Sequence, residues 1–552
     1  MVMRRIVVVT AGLILGQLCL PALGQASPRP AGMFRISGTL VNSLNGAPIA
    51  RGRVTLQDAR NLQKSDSSIT SDDGHFDFTQ VPPGKYALNG SKRGFITGGY
   101  EQHEQYSTAI VTGAGIDTEH LVLRLSPFAV LSGKVLDEAG DPVRHGTVTL
   151  YVEDHGAGFG RIRQGRSEQT DDQGGYEFSN LRPGTFFIAV KATPWYAVHP
   201  ASFDEHGQRT TTPSVDQSLD VAYPVTYYKD AMEPDEASPI PVRGGDRLEA
   251  DIHLSPVPAL HLLLHVPGDG QRGFAMPVLQ KPSFDGMEYV PVNGGGMVSP
   301  GVFEITGVPA GRYTVNMPAN PGSGSAQSSE VEMDLTGDGE ELDSSKGEPT
   351  SSIKATVSML GDEKLPGSFT ILLRNSKMRI VAGQNVNEKG QIEFEDLSPG
   401  KYEFIVRAAD KAYSVLRISS AGKQVSGHVL ELAAGSSLSV SLTVVGSAMR
   451  VEGFAKRGDK PAPAAMVVLV PKDPETNRDL FRRDQSDLDG SFNLLGVIPG
   501  AYTVCAIQDG WDLDWAKPAV ISHYCEHGTK VVVSEHPQGV MQLSTAVEVQ
   551  AK

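Results

Sequence analysis

The residues able to do chemistry are few, and their spacing argues against catalysis. The chain has one His-x-x-Glu run, His428 to Glu431, with His523 and His536 far downstream as a third zinc donor. Two such side chains converge on one metal when a helix carries them. Here Val429 and Leu430 lie between them in a strand-like stretch, where positions i and i+3 project to opposite faces. There is no His-Glu-x-x-His, no Gly-x-Ser-x-Gly and no phosphate-binding Gly-rich loop ending in Lys. Asp334, Thr336 and Asp338 open like a calcium loop, but Ser345 stands where a bidentate Glu is needed. The acidic turns Asp72-Asp73-Gly74 and Asp487-Leu488-Asp489-Gly490 are good turn chemistry without any ion. No catalytic residue, no metal and no cofactor are expected.

Binding chemistry has better candidates. Of three tryptophans, Trp511 and Trp515 flank two carboxylates, Asp512 and Asp514, in "DGWDLDWAKP", and Trp195 sits in "PWYAVHP". Sugar rings offer an apolar face rimmed by hydroxyls, so an aromatic platform beside acidic acceptors suits them. Tyr227, in a long insertion, is a further aromatic candidate. Cys505 and Cys525 bracket the whole Trp-Asp loop. If oxidised, the pair closes its base and contributes about 3 kcal/mol. Two expectations stand side by side: an exposed Trp511–Trp515 platform that recognises a ligand, or two rings that cap the end of their own sandwich.

What must position these residues is β-structure. Aligned on Gly74, Gly174, Gly301, Gly390 and Gly490, five stretches share one pattern, with a second glycine ten residues on at Gly84, Gly184, Gly311, Gly400 and Gly500. Apolar residues stand two and four after the first glycine, for example Phe76 and Phe78 or Phe492 and Leu494. An aromatic stands two after the second: Tyr86, Phe186, Tyr313, Tyr402 and Tyr502. Period-two alternation on both sides predicts strand, tight turn, strand, with one face buried. The Pro-Gly before the second strand predicts a type II turn with the glycine at positive φ. Alternating segments upstream ("FRISGTLVNSLNGAPIARGRVTLQD") and downstream ("TEHLVLRLSP") complete a sandwich of roughly 100 residues.

These residues carry a family resemblance. The pattern D-G-x-F-x-F-x-x-L-x-P-G-x-Y, preceded by G-x-V and a turn, resembles the carboxypeptidase regulatory-like domain. That is a transthyretin-like sandwich in a superfamily described as a carbohydrate-binding-like fold and related to Cna-B domains of bacterial surface proteins. The resemblance implies an all-β chain of five tandem antiparallel β-sandwich domains, and a non-catalytic binding role. The Lys–Asn isopeptide bond of some Cna-B relatives is not expected, because the corners lack the acid it needs. Glu395 is out of phase with the inward Phe394.

The chain divides accordingly into a signal peptide (1–24) and sandwiches at 33–126, 127–257 (with the insertion), 258–347, 348–446 and 447–552, here called units 1 to 5. Arg4 and Arg5 followed by an apolar run and Ala22-Leu23-Gly24 form the export signal, and no later run is long enough to span a bilayer. The formal charge of −15 becomes −17 without the signal, which repels phosphate backbones and excludes nucleic acid as a partner. Gly/Ser-rich stretches at 318–330 and 343–352 read as mobile linkers. The expected protein is an exported rod, periplasmic, outer-surface or secreted, binding polysaccharide or an envelope protein. The alternatives are a structural spacer and an accessory subunit of a neighbouring hydrolase.

Overall fold

A computed structural model describes residues 32–552 apart from 114, 200–215, 266–277, 291–293, 300–301, 318–328, 338, 344–347, 362–363, 377–378, 410–412, 426, 447–448 and 535–538. The segment read as a signal peptide, Gly301, His536, Asp338 and Ser345 therefore lie outside the described residues. Five separate apolar cores run in chain order, spanning 36–125, 129–254, 262–342, 353–444 and 445–549.

One topology recurs in each. The first strand of the unit pairs antiparallel with the strand entering the corner and parallel with the closing strand. In unit 1, Phe34–Asn42 lies between His75–Val81 and Leu121–Leu125. In unit 4, Ser351–Met359 lies between Gln391–Leu397 and Ser437–Gly446. Units 2, 3 and 5 repeat both pairings, so each antiparallel sandwich contains a parallel closing pair.

The corner is not a hairpin. His75–Val81 pairs within one sheet, whereas the next strand, Lys85–Ser91, pairs with Arg53–Asp58 in the other. The chain crosses the core at the Pro-Gly step because Phe76, Phe78, Tyr86 and Leu88 must all face the same interior. The equivalent residues of every unit are buried in the same way.

The two repeated glycines do different work from the type II turn expected. The φ near 80° that a type II turn needs belongs to the first glycine: Gly74, Gly174, Gly390 and Gly490 lie between 73° and 79°, whereas among the second glycines Gly311 and Gly400 stand at 155°. At each, a carbonyl of the unit's first strand sits where a Cβ would go; at Gly490 a methyl group would fall 2.4 Å from the Ala455 oxygen. Gly84, Gly184 and Gly500 are not in the left-handed region. At Gly84 and Gly500 the aromatic two residues on folds back over the glycine, 3.2–3.3 Å from the position a Cβ would take. The tyrosines donate to the carbonyl four residues upstream, Tyr86 to Pro82 at 3.0 Å and Tyr502 to Ile498 at 2.9 Å. Tyr313 and Tyr402 bond to Pro309 and Ser398 likewise, and Phe186 of unit 2 has no hydroxyl to do so.

The Gly/Ser-rich stretch at 318–330 is not a linker between units. Its flanking strands, Gly311–Met317 and Ser329–Leu335, pair antiparallel from Gly311–Leu335 to Met317–Ser329, so it connects two strands inside unit 3. At 343–352, Ser351 already begins the first strand of unit 4.

Candidate functional site

The Trp-Asp loop of unit 5 begins on the strand Gly500–Ile507, which pairs with Met466–Pro471. Met466–Pro471 ("MVVLVP") is apolar without interruption and buried on both faces, and its partner is so from Val504 to Ile507. Val467 and Leu469 face the unit's own core, while Met466, Val468, Val470, Cys505 and Ile507 face the other way into a second cluster. The loop covers that second face. A short turn at Gly510–Asp512 lays down Trp511, Trp515 follows, and the helix Pro518–Cys525 brings Cys525 back to Cys505 with the Cα atoms 5.3 Å apart.

The outer side of this cap meets two other units. From unit 1, His103 stacks on Trp511 at 5.1 Å with planes 4° apart, and Tyr106 lies 5.5 Å from the same ring. From unit 2, the Gly158 carbonyl accepts from the Ala516 N–H at 3.0 Å, and Phe159 joins the cluster. Arg483 stands between all three. Its guanidinium is 4.3 Å from the Trp515 ring centroid, 2.7 Å from Glu104 of unit 1 and 3.0 Å from the Gly156 carbonyl of unit 2. The two indole N–H groups are buried with no acceptor among the described residues. The cation over their faces offsets part of that cost.

The turn Asp487–Gly490 of unit 5 docks on unit 1 as well. Leu488 inserts beside the unit 1 core and exchanges a backbone bond with Ala109. Asp487 accepts from the Ala109 N–H at 3.0 Å and from Lys85 at 2.7 Å. Burial raises the Asp487 carboxyl even so, and pushes Asp484 beside it up to about 6. Gln485 bonds His103 and Thr108. Glu101 and Glu104 of unit 1 sit at positive φ, and both are tied into this contact: Glu101 through its carbonyl to Gln485, Glu104 through its carboxylate to Arg483. The expected rod is therefore wrong. Unit 5 folds back to pack against units 1 and 2.

Residues 35–112 match the family model of the carboxypeptidase regulatory-like domain. Unit 1 is similar to the carboxypeptidase regulatory-like domain. The match ends at unit 1, while the signature residues return at the same spacing in the four later units. No curated protein matches the chain. Among solved structures, similarity is found to the Bacillus anthracis TIE protein, 12% identical over 76% of this chain and 75% of that one, TM-score 0.17. It is found also to BcpA, the major pilin subunit of Bacillus cereus (10% identical, 75% and 99% covered, TM-score 0.14), and to GBS52, the minor pilin of Streptococcus agalactiae (13%, 41% and 96%, TM-score 0.20). Scores this low speak neither to arrangement nor to function.

With unit 1 as one wall of the junction, the candidate residues separate clearly. Trp511 and Trp515 are 9% and 6% exposed and form no open platform, because units 1 and 2 cover the faces that the sequence left unassigned. Asp514 is spent on the junction, accepting from the Gly160 N–H at 2.5 Å with His155 at 3.2 Å, and also pairs with Lys517. Asp512 is exposed and pairs with Lys552 at 2.5 Å. Tyr227 is fully buried, its hydroxyl donating to Ser283 of unit 3 at 2.9 Å, so it too is a joint residue and not a binding surface. Of the aromatic candidates, Trp195 alone stands in solvent, 86% exposed. Its ring lies edge-on to Tyr196 at 5.8 Å, and the Tyr196 and Tyr223 hydroxyls both bond Glu138.

His428 and Glu431 do not converge. His428 faces Asp479 of unit 5, and Glu431 lies exposed opposite Lys401 in an edge strand. Among the described residues no His, Cys, Asp or Glu group is arranged to hold a metal, and no helix is long and apolar enough to cross a membrane. The residues missed from sequence are Arg483, His103, Tyr106, Lys85 and Gly158. The signal for them was "MVVLVP": a strand apolar on both phases needs a second cover.

The Cys505–Cys525 bond gives a direct prediction. Thiol labelling of the unreduced protein, native or unfolded, should find no thiol from this pair, leaving only Cys19 where the signal is retained. Reduction should then lower the stability of unit 5 by about 3 kcal/mol. Two additional reactive thiols in the unreduced protein would refute the pairing.

Proposed function

We propose that this is an exported, non-catalytic binding protein that engages polysaccharide through the Trp195 face of unit 2. The observation that carries the reading is the exposure of Trp195 in a chain whose other two tryptophans are buried. An indole carries a large apolar area that is favourable to remove from water, and left in solvent it contributes nothing to folding. The Tyr196–Glu138–Tyr223 bonds fix the segment that bears it, so little order is lost on binding. The bonded Cys505–Cys525 pair supports export to an oxidising compartment.

The test is depletion of the purified protein by insoluble polysaccharides and by envelope fractions, alongside Trp195→Ala. Affinity for the polysaccharide that depletes it should fall by about 5- to 150-fold, the range of a hot-spot aromatic, with the melting temperature unchanged. Equal binding by Trp195→Ala, or no depletion by any polysaccharide, would overturn the proposal. The latter result would favour a structural spacer, a reading to which the built junction of units 1, 2 and 5 lends weight.

A further inference from the structure

Unit 4 meets unit 5 around one histidine. His428 is buried just before the edge strand Val429–Leu432. Its Nδ1 lies 2.9 Å from both carboxylate oxygens of Asp479, in the unit 5 turn Arg478–Leu480. Its Nε2 lies 3.3 Å from the Leu416 carbonyl oxygen of unit 4. The His428 N–H also donates to the Thr476 carbonyl at 2.8 Å, and Leu416 and Leu360 pack against the unit 5 core.

A carbonyl oxygen can only accept, so Nε2 carries a hydrogen. Nδ1 then faces a carboxylate, and the contact is attractive only if a second proton lies between them. A neutral imidazole has one N–H for two acceptors. Deprotonation must turn a lone pair toward Asp479 or abandon Leu416.

We propose that a proton on His428 latches unit 5 to unit 4 and that raising the pH releases this joint. Burial alone would depress the imidazole. The Asp479 bond and charge, the Leu416 carbonyl and the Glu403 charge outweigh it and hold the group above its ordinary value. Glu403 is itself bonded to Arg374 at 2.9 Å, and Arg482 donates to the Asp479 carbonyl at 2.7 Å. The sign follows. A histidine raised on folding adds stability that is fully present below its unfolded pKa, near 6.5, and is lost as pH rises through the folded value. The joint is thus tight in mild acid and loosens in the alkaline direction.

Hydrogen exchange on the full chain between pH 5.5 and 8.5, corrected for intrinsic rates, reads this directly. Protection of residues 414–428 and 476–482 should fall with rising pH by about tenfold for each pH unit by which folding raises the histidine. His428→Gln, which donates but does not titrate, should remove that fall, leaving only what the raised Asp484 carboxyl contributes at the unit 1 contact. Asp479→Asn should move the midpoint to lower pH, and it serves if the glutamine variant does not fold. Protection in the wild type that stays flat or rises with pH would overturn the latch. So would a fall that persists unchanged in either variant.

Discussion

Replacing Arg483 by alanine is expected to detach unit 5 from units 1 and 2. The side chain is nearly fully buried and does three jobs at once: ion pair to Glu104, donor to the Gly156 carbonyl and cation over Trp515. Removing one partner of a buried pair typically costs 3–5 kcal/mol. Because Glu104 keeps some contact with water, about 3 kcal/mol is the appropriate figure. The tryptophans supply the readout. In the native protein only Trp195 should be open to acrylamide, whereas in Arg483→Ala all three should be quenched, with red-shifted emission. Gly158→Ala approaches the same contact from unit 2 without changing any residue of unit 5. Gly158 has φ +85°, and a methyl group there would fall 2.3 Å from the Ala516 Cβ. It should change quenching in the same direction. Native-like quenching in both variants would show that the three units do not pack in this way.

Trp515→Ala should be the most destabilising change in the loop. The ring is buried, lies edge-on to Phe481 at 5.6 Å and provides the face beneath Arg483. Emptying such a site costs about 3–5 kcal/mol. The loss should appear in thermal unfolding and, by hydrogen exchange, in unit 5 and at its contacts with units 1 and 2. Affinity for a polysaccharide bound at Trp195 should not change. Weakened binding with an unmoved melting temperature would restore the loop as a recognition surface, as the sequence had led us to expect.

The sandwiches were legible because their information is local. Two-residue alternation, an Asp-Gly or equivalent turn and an aromatic two after a glycine recur within a few residues of one another, five times over. The first glycine was legible only as a recurring residue, because its reason, a first-strand carbonyl pressing where a Cβ would be, is a contact across 34 residues in Leu40–Gly74. The Pro-Gly step reads as a tight turn and proved to be a crossing between sheets, because alternation says which way side chains point and not which sheet a strand joins. That depends on partners far along the chain.

The candidate site was legible only as composition. Trp511, Trp515 and the cysteines stood out by residue type, and the disulfide follows from that. Whether an aromatic faces solvent or another unit depends on where the rest of the chain lies. Sequence adjacency led us to expect units strung in a row; tertiary packing sets unit 5 against units 1 and 2, because the doubly apolar "MVVLVP" strand leaves a surface that one loop cannot cover. The same physics left Trp195 exposed and buried Trp515: a local pattern prescribes an apolar face, and only the assembled units determine what covers it.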